Sequence, residues 1–404
     1  MRRAVVVGAG FAGLAAADAL RAAGVEVIVL EARDRVGGRV WSVPFAGGVA
    51  ERGAEFILPE NTTVESLAAR FALPLARKGT PYGRREPRGE EAVPAAELEA
   101  VFDRIAAYEA APAAATVAAA IDSLGLEPRL AALIRARIEI SMGHPADDLR
   151  AEVLREGAAT FGDFDSYTIG GGNAELALAL AAELGGAVHL SSPVRRLRWR
   201  DHAVTVGTDA GELDADAAVI AVPTAPLKEI TFEPPLRGPT AAALDAVRYG
   251  QNAKLFVALR APSAPSAIMS VRHRFWSHTQ LDPAGEPAPF VTAYAGTIGA
   301  VEALAGSRTG GWIAELAALR PELELNPEAA LVSTWHDDPW VRGSYSARTL
   351  SSPLRDRELS TPIGPLYFAG EHTAGDWHGL MEGALRSGQR AARQLLQTLG
   401  RERR

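Results

Sequence analysis

Three glycines near the start carry the first chemical information, in the run Gly8-Ala-Gly-Phe-Ala-Gly13. Gly8 permits a tight turn, Gly10 lets backbone approach a pyrophosphate, and Gly13 lets the following helix sit against the preceding strand. Phe11 and Ala12 then open a helix whose unpaired N–H groups and positive dipole end suit phosphate oxygens. Glu31 stands eighteen residues beyond Gly13, at the end of a second apolar run, where its carboxylate can accept from ribose hydroxyls. The stretch Glu31-Ala32-Arg33-Asp34-Arg35-Val36-Gly37-Gly38-Arg39 follows. Gly37 and Gly38 allow a second close backbone approach, and the Arg39 guanidinium suits a diphosphate. A dinucleotide is the ligand these spacings imply.

Lys254 is the other residue of consequence. It opens an apolar run, Lys254-Leu-Phe-Val257, and a charge there needs either a route to solvent or a function. Hydrolytic chemistry has no support, since no acid–histidine–serine arrangement is discernible. The eight histidines show no metal-ligand spacing and read as ordinary packing or surface residues. With no cysteine there is no disulfide, thiol nucleophile, cysteine-ligated metal or thioether link to a cofactor.

These residues need elements to hold them. Ala4–Val7, a helix to about Ala23, and Val25–Leu30 form a β-α-β unit, which implies a parallel sheet. Residues 61–77 read as a helix, and Thr80–Glu91 as an exposed loop in which Arg84, Arg85 and Arg88 are solvated. From Pro94 to Glu156 the chain is alanine-rich and helical, with breaks at Gly125 and Pro145. Gly170–Asn173 opens a helix over Ala174–Leu184. Strands are expected at 188–190, 194–199, 203–208, 217–222, 253–259, 290–294 and 366–369. Helix is expected over Val301–Leu319, Pro327–Ala330 and Met381–Leu399. Sheet-forming segments thus occur at the start, middle and end, which favours one domain assembled from separate pieces.

Composition sets the outer bounds. The 404 residues carry 42 Lys and Arg against 49 Asp and Glu, a formal net charge of −7. A mildly acidic chain is a poor nucleic-acid binder. No uninterrupted apolar run is long enough to span a bilayer, so the expectation is a cytoplasmic protein with no membrane partner.

The two ends together resemble a known family. Leu366-Tyr-Phe-Ala-Gly-Glu-His-Thr373 and Gly379-Leu-Met-Glu-Gly-Ala-Leu-Arg-Ser-Gly388 are similar to the signature of the flavin amine oxidases, and Glu31–Arg39 is similar to that family's second glycine motif. The resemblance implies noncovalent FAD as cofactor, a small-molecule amine and O2 as partners, and oxidation of the amine to an imine by hydride transfer to flavin N5, with hydrogen peroxide formed on reoxidation. It implies an α/β fold: a Rossmann-like FAD-binding domain from residues 1–78, 160–250 and 335–404, and a mixed-sheet and helical substrate domain from 79–159 and 251–334. By the same resemblance Gly53, Ala54, Glu55 and Phe56 pass beside the flavin, Val194 meets the adenine with its backbone, and Trp340 faces the flavin. Gly370 and Glu371 approach the ribityl–phosphate region, and Leu380, Met381 and Ala384 lie at a helix start under the ring. Lys254 holds a water at N5, and Tyr345 forms one wall of the substrate site.

Departures from the family pattern shape the substrate expectation. Ser344 stands where covalently flavinylated members carry cysteine. Leu380 stands where monoamine oxidases place a second tyrosine, which points to a bulky apolar or aromatic amine. Glu55 and Phe56 replace the arginine by which amino-acid oxidases hold a carboxylate. Two other readings remain: desaturation, dehydrogenation or isomerisation of a non-amine on the same scaffold, and a flavin-bearing interaction module without catalysis.

Overall fold

The computed structural model describes residues 2–88, 93–108, 115–158, 161, 164–305 and 309–401. Its first unit follows from the opening residues: β1 (Arg3–Val7), α1 (Phe11–Ala22) and β2 (Glu26–Leu30), with β1 and β2 parallel. The Val-rich strands are buried on both faces, as a covered parallel sheet requires. β1 lies at the centre of five parallel strands, ordered Leu366–Phe368, Ala217–Ile220, β1, β2, Val188–His189. This sheet is therefore built from the beginning, middle and end of the chain. α1, Ala174–Leu184 and the closing helix Met381–Arg401 bury one face of it. A Cβ on Gly388 would lie 2.1 Å from Ala12 O, so the closing helix meets α1 at backbone contact.

A second sheet has six strands, ordered Leu325–Thr334, Asn252–Leu259, Phe290–Gly296, Phe275–Thr279, Ser266–Ser270, Glu86–Pro87. Its register decides the site. Lys254 pairs with Tyr294, Tyr294 with Trp276, and His278 lies two residues beyond Trp276. Paired residues, and residues two apart, share a face. Lys254, Tyr294, Trp276 and His278 therefore stand on one face. Ala253, Leu255 and Val257 turn the other way, against helices Ile298–Ala305 and Thr309–Leu319. Helices Ala95–Ala106, Val117–Ser123, Pro128–Met142 and Glu152–Ala158 pack with Met269 and Trp276.

Several expectations are corrected. The helix read over 61–77 is Thr62–Arg70; Ala72 then takes φ +53°, and Leu75–Arg77 pairs with Tyr167–Ile169 as a strand. Pro327–Ala330 lies in the strand Leu325–Thr334 rather than a helix, on the sheet edge beside a register shift, where a residue without an N–H is tolerated. Thr80–Glu91 is not simply an exposed loop. Arg84 is exposed, but Arg85 is 2% exposed and Glu86–Pro87 pairs with Ser266–Ser270. Residues 89–91 of that stretch, and the proposed boundary at 159–160, lie outside the described residues. Strands at Gly211–Ala215, Ser266–Ser270 and Phe275–Thr279 were not anticipated.

Candidate active site

One cavity of about 610 Å³ runs from the first glycine turn, past the closing helix, to the inner face of the six-stranded sheet. At the first end, Gly8 has φ +100°, and a Cβ on Gly13 would lie 1.8 Å from Gly8 O. Only glycine allows α1 to start so close to β1. Gly10 differs: a Cβ there would meet no protein atom within 4 Å, because its Cα faces the cavity. Gly10 also bridges to Gly37, whose N–H donates to Ala9 O at 2.9 Å, so the two glycine motifs touch. Phe11 and Ala12 present the first turn of α1 to the same space.

Glu31 is buried at the end of β2. It accepts the Ala9 N–H at 2.7 Å and the Arg33 N–H at 2.9 Å. Burial raises its pKa, opposed by those two donors. Ala32 and Arg33 continue the wall, with Arg33 paired to Asp338 through two 2.8 Å bonds. Arg39 donates to Ser344 O at 2.7 Å and to Glu371 Oε1 at 2.9 Å. Glu371 also accepts from Ser346 Oγ at 2.6 Å and Gly379 N at 2.7 Å. Burial would raise Glu371, but Arg39 and the other donors hold it down to about 2. Two glycine cradles, a buried acid and a fixed guanidinium along one groove fit the adenosine and diphosphate of FAD.

The middle of the cavity is the loop Gly53–Phe56. A Cβ on Gly53 would lie 1.8 Å from Arg39 O, so this loop packs backbone to backbone on the Arg39 segment. Lys254 ties it to the sheet, donating to Glu51 O at 2.9 Å, Gly53 O at 2.8 Å and Glu55 Oε2 at 2.6 Å. All three of its protons are thus committed, and holding a water requires one of these bonds to open. The other Glu55 oxygen accepts from Lys78 at 2.9 Å and lies 2.9 Å from His278 Nε2. Burial would raise Glu55; Lys254, Lys78 and His278 hold it well below the usual carboxylate range. Burial lowers His278, against the pull of Glu55.

At the far end stand the aromatic rings. Tyr345 donates to Ser141 O, and its hydroxyl lies 2.8 Å from that of Tyr294. Burial raises both phenols. Gly379 has φ +75°, and a Cβ there would lie 3.3 Å from the Tyr345 ring, so the turn before Leu380 runs close against that ring. Phe56, Tyr82 and Trp276 cluster with ring centroids 4.7–6.1 Å apart.

Every residue anticipated for cofactor or catalysis lines this cavity except Gly13, which acts by packing. Within it Val194, Trp340 and Arg195 lie together, with Arg195 Cζ 5.8 Å from the Trp340 ring. The tryptophan packed beside Gly53 is Trp335, whose Nε1 donates to Arg52 O at 3.2 Å. Ser344 Oγ lies 2.8 Å from Gly250 O and 2.6 Å from Asn252 Oδ1. His278, read as an ordinary histidine, is buried on the cavity wall beside Glu55. Arg85, Lys78, Trp276 and Tyr294 were also missed. Only strand register could have revealed Trp276 and Tyr294, and nothing local separates Arg85 from Arg84. No group of acids, histidines or cysteines suited to a metal occurs among the described residues.

Known proteins resemble this chain over nearly its whole length. Residues 11–396 match the family of flavin containing amine oxidoreductases, and the chain belongs to that family. It is 30% identical to a putrescine oxidase of Kocuria rosea, covering 98% of this chain and 95% of that one. A solved putrescine oxidase variant superposes with a TM-score of 0.83 at 25% identity, covering 98% of this chain and 99% of that one. A cyclohexylamine oxidase from Brevibacterium oxydans shares the fold, with a TM-score of 0.84 at 22% identity over 99% of each chain. The protein is an FAD-dependent amine oxidase. Among the described residues, no helix is long and apolar enough to cross a membrane.

Proposed function

We propose that this chain oxidises an amine carrying an aromatic or bulky apolar group to its imine, with O2 as electron acceptor. When bound, FAD supplies the two-electron chemistry, taking a hydride equivalent from the carbon next to the nitrogen and passing the electrons to O2 with release of hydrogen peroxide. The chain's own work is placement and exclusion of water. Glu31, Arg39 and the start of α1 hold the dinucleotide. Lys254 fixes the Gly53–Phe56 loop and stands as the proposed residue beside the reacting centre. Tyr345 and Leu380 flank the amine, and the aromatic end of the cavity around Phe56 receives its apolar group.

The observation that carries the reading is that the dinucleotide groove and the aromatic pocket are one cavity, joined at Lys254. Two of its acids already meet cations: Glu55 two lysines, and Glu156 Arg348. A second ammonium, as in a diamine, would have to compete with Lys78 and Lys254 for Glu55, the acid beside the aromatic rings. Peroxide release tests this. Benzylamine-like and bulkier secondary aromatic amines should produce it faster than putrescine or spermidine. A parent enzyme fastest on spermidine-like substrates overturns the substrate reading.

A further inference from the structure

We propose that Arg85 binds a carboxylate on the substrate, so that the amine oxidised here is an amino acid in the broad sense, with its carboxylate close to the reacting nitrogen. The proposal rests on the amine-oxidase reading. Arg85 is 2% exposed and lines the aromatic end of the cavity. Its Cζ lies 4.1 Å from the Trp276 ring centroid and 4.5 Å from that of Tyr82, which hold the guanidinium by its faces. One N–H, on Nη1, donates to Ser141 Oγ at 3.0 Å. Nε is buried without a partner, and no acid among the described residues pairs with Arg85.

A buried guanidinium is strongly disfavoured unless an anion meets it. Two aromatic faces and one neutral hydroxyl do not neutralise it. Arg137, also buried, is occupied elsewhere, its guanidinium against the Phe102 and Phe161 rings. Cavity acids that would quench such a charge in a diamine site are bound elsewhere, as Glu55 and Glu156 are. The fork of a guanidinium matches a carboxylate with two parallel bonds.

Position supplies the spacing. Ser141 receives Arg85 on its Oγ and the Tyr345 hydroxyl on its backbone oxygen. Arg85 is therefore one residue's width from the tyrosine proposed to flank the amine. A carboxylate held there lies within a few bonds of the nitrogen. The guanidinium comes from the approach to Glu86–Pro87, whereas Glu55 and Phe56 occupy the loop after Gly53-Ala54 that the sequence pointed to as lacking an arginine. Absence of arginine in that loop thus does not exclude a carboxylate.

The experiment is anaerobic flavin bleaching of the holoenzyme by matched pairs. Phenylalanine, 3-amino-3-phenylpropanoate and 4-amino-4-phenylbutanoate are each compared with the same amine lacking the carboxylate. For at least one pair the acid should reduce the flavin ten-fold or more faster at low concentration. That ratio should fall about 100-fold in Arg85→Met and recover in part in Arg85→Lys. Should either variant fail to fold, the parent alone decides through ligand-induced flavin absorbance changes: benzoate should bind at least ten-fold more tightly than benzamide. If every carboxylate-free amine equals or exceeds its acid, or benzoate and benzamide bind alike, Arg85 is not a carboxylate site while amine oxidation stands. If no compound of either set bleaches the flavin, the amine reading of this pocket fails and the proposal with it.

Discussion

Replacing Lys254 by methionine tests the centre of the site, because its bonding task and its proposed catalytic task have different readouts. Methionine is close in length and apolar, so the strand and its neighbours should survive. What goes is the triple bond from Nζ to Glu51 O, Gly53 O and Glu55 Oε2. Breaking a buried ion pair costs about 3–5 kcal/mol when the remaining charge is left alone. Glu55 is not left alone, since Lys78 and His278 still face its other oxygen. The lower end, about 3 kcal/mol, is the expectation. With an unfolding entropy of about 2.1 cal/mol/K per residue over 404 residues, that is a fall in Tm of about 3–4 °C. The second task is kinetic: with the Gly53–Phe56 loop released and no ammonium beside the reacting centre, flavin reduction or reoxidation should slow about 10²–10⁴-fold. Thermal melts of the FAD-loaded protein and stopped-flow of both half-reactions are the assays. An unchanged Tm refutes the bonding arithmetic. Half-reactions matching the parent reduce Lys254 to a structural lysine.

The same geometry sets other expected outcomes. FAD should be released by denaturation alone, since the chain has no cysteine; colour remaining with precipitated polypeptide contradicts this. Glu31→Ala removes the acceptor for Ala9 N–H, Arg33 N–H and the proposed ribose contact, and should weaken FAD about 10–100-fold, as for loss of a charged hydrogen bond of about 1.5–3 kcal/mol. An unaltered Kd for FAD in that variant shows Glu31 to be incidental. His372 is lowered to about 4 by burial, below its ordinary value near 6.5. Between those values the unfolded chain holds the extra proton, so stability is full above about pH 6.5 and falls as pH drops toward 4, by about 2 kcal/mol at pH 5. His372→Asn should flatten the dependence of Tm on pH across that window; parallel parent and variant profiles defeat the assignment. Leu380→Tyr should shift the kcat/KM ratio toward small primary amines over bulky secondary ones, whereas a residue that only packs the helix start would change Tm and leave the ratio where it was.

The dinucleotide half was legible because its determinants are local. Gly8, Gly10, Gly13 and Glu31 lie within one β-α-β unit, where spacing alone places them. The aromatic end was not legible, because it is made by register between distant strands. Trp276 and His278 lie in Phe-Trp-Ser-His-Thr, buried on both faces and without the alternation that marks a half-exposed strand. Lys254 stood out for its charge in an apolar run and Glu55 by the family resemblance, but their pairing was not legible, since nothing in sequence joins residues 199 positions apart. Arg85 is the sharpest case. In a mixed-charge stretch with Gly83 and Gly89 it reads as solvated, and only the packing of Tyr82 and Trp276 around it shows otherwise. Pro327 misled in the opposite direction, because a sheet-edge bulge accepts a proline that a central strand would not.

The central claim is that one cavity brings FAD and an aromatic amine together around Lys254. Anaerobic mixing of the purified yellow protein with a panel of amines, followed by flavin absorbance, tests it most directly. The account predicts about one FAD per chain, bleached within the mixing series by aromatic or bulky apolar amines and restored by O2. A flavin that no amine reduces, or a purified chain that holds no FAD, contradicts it.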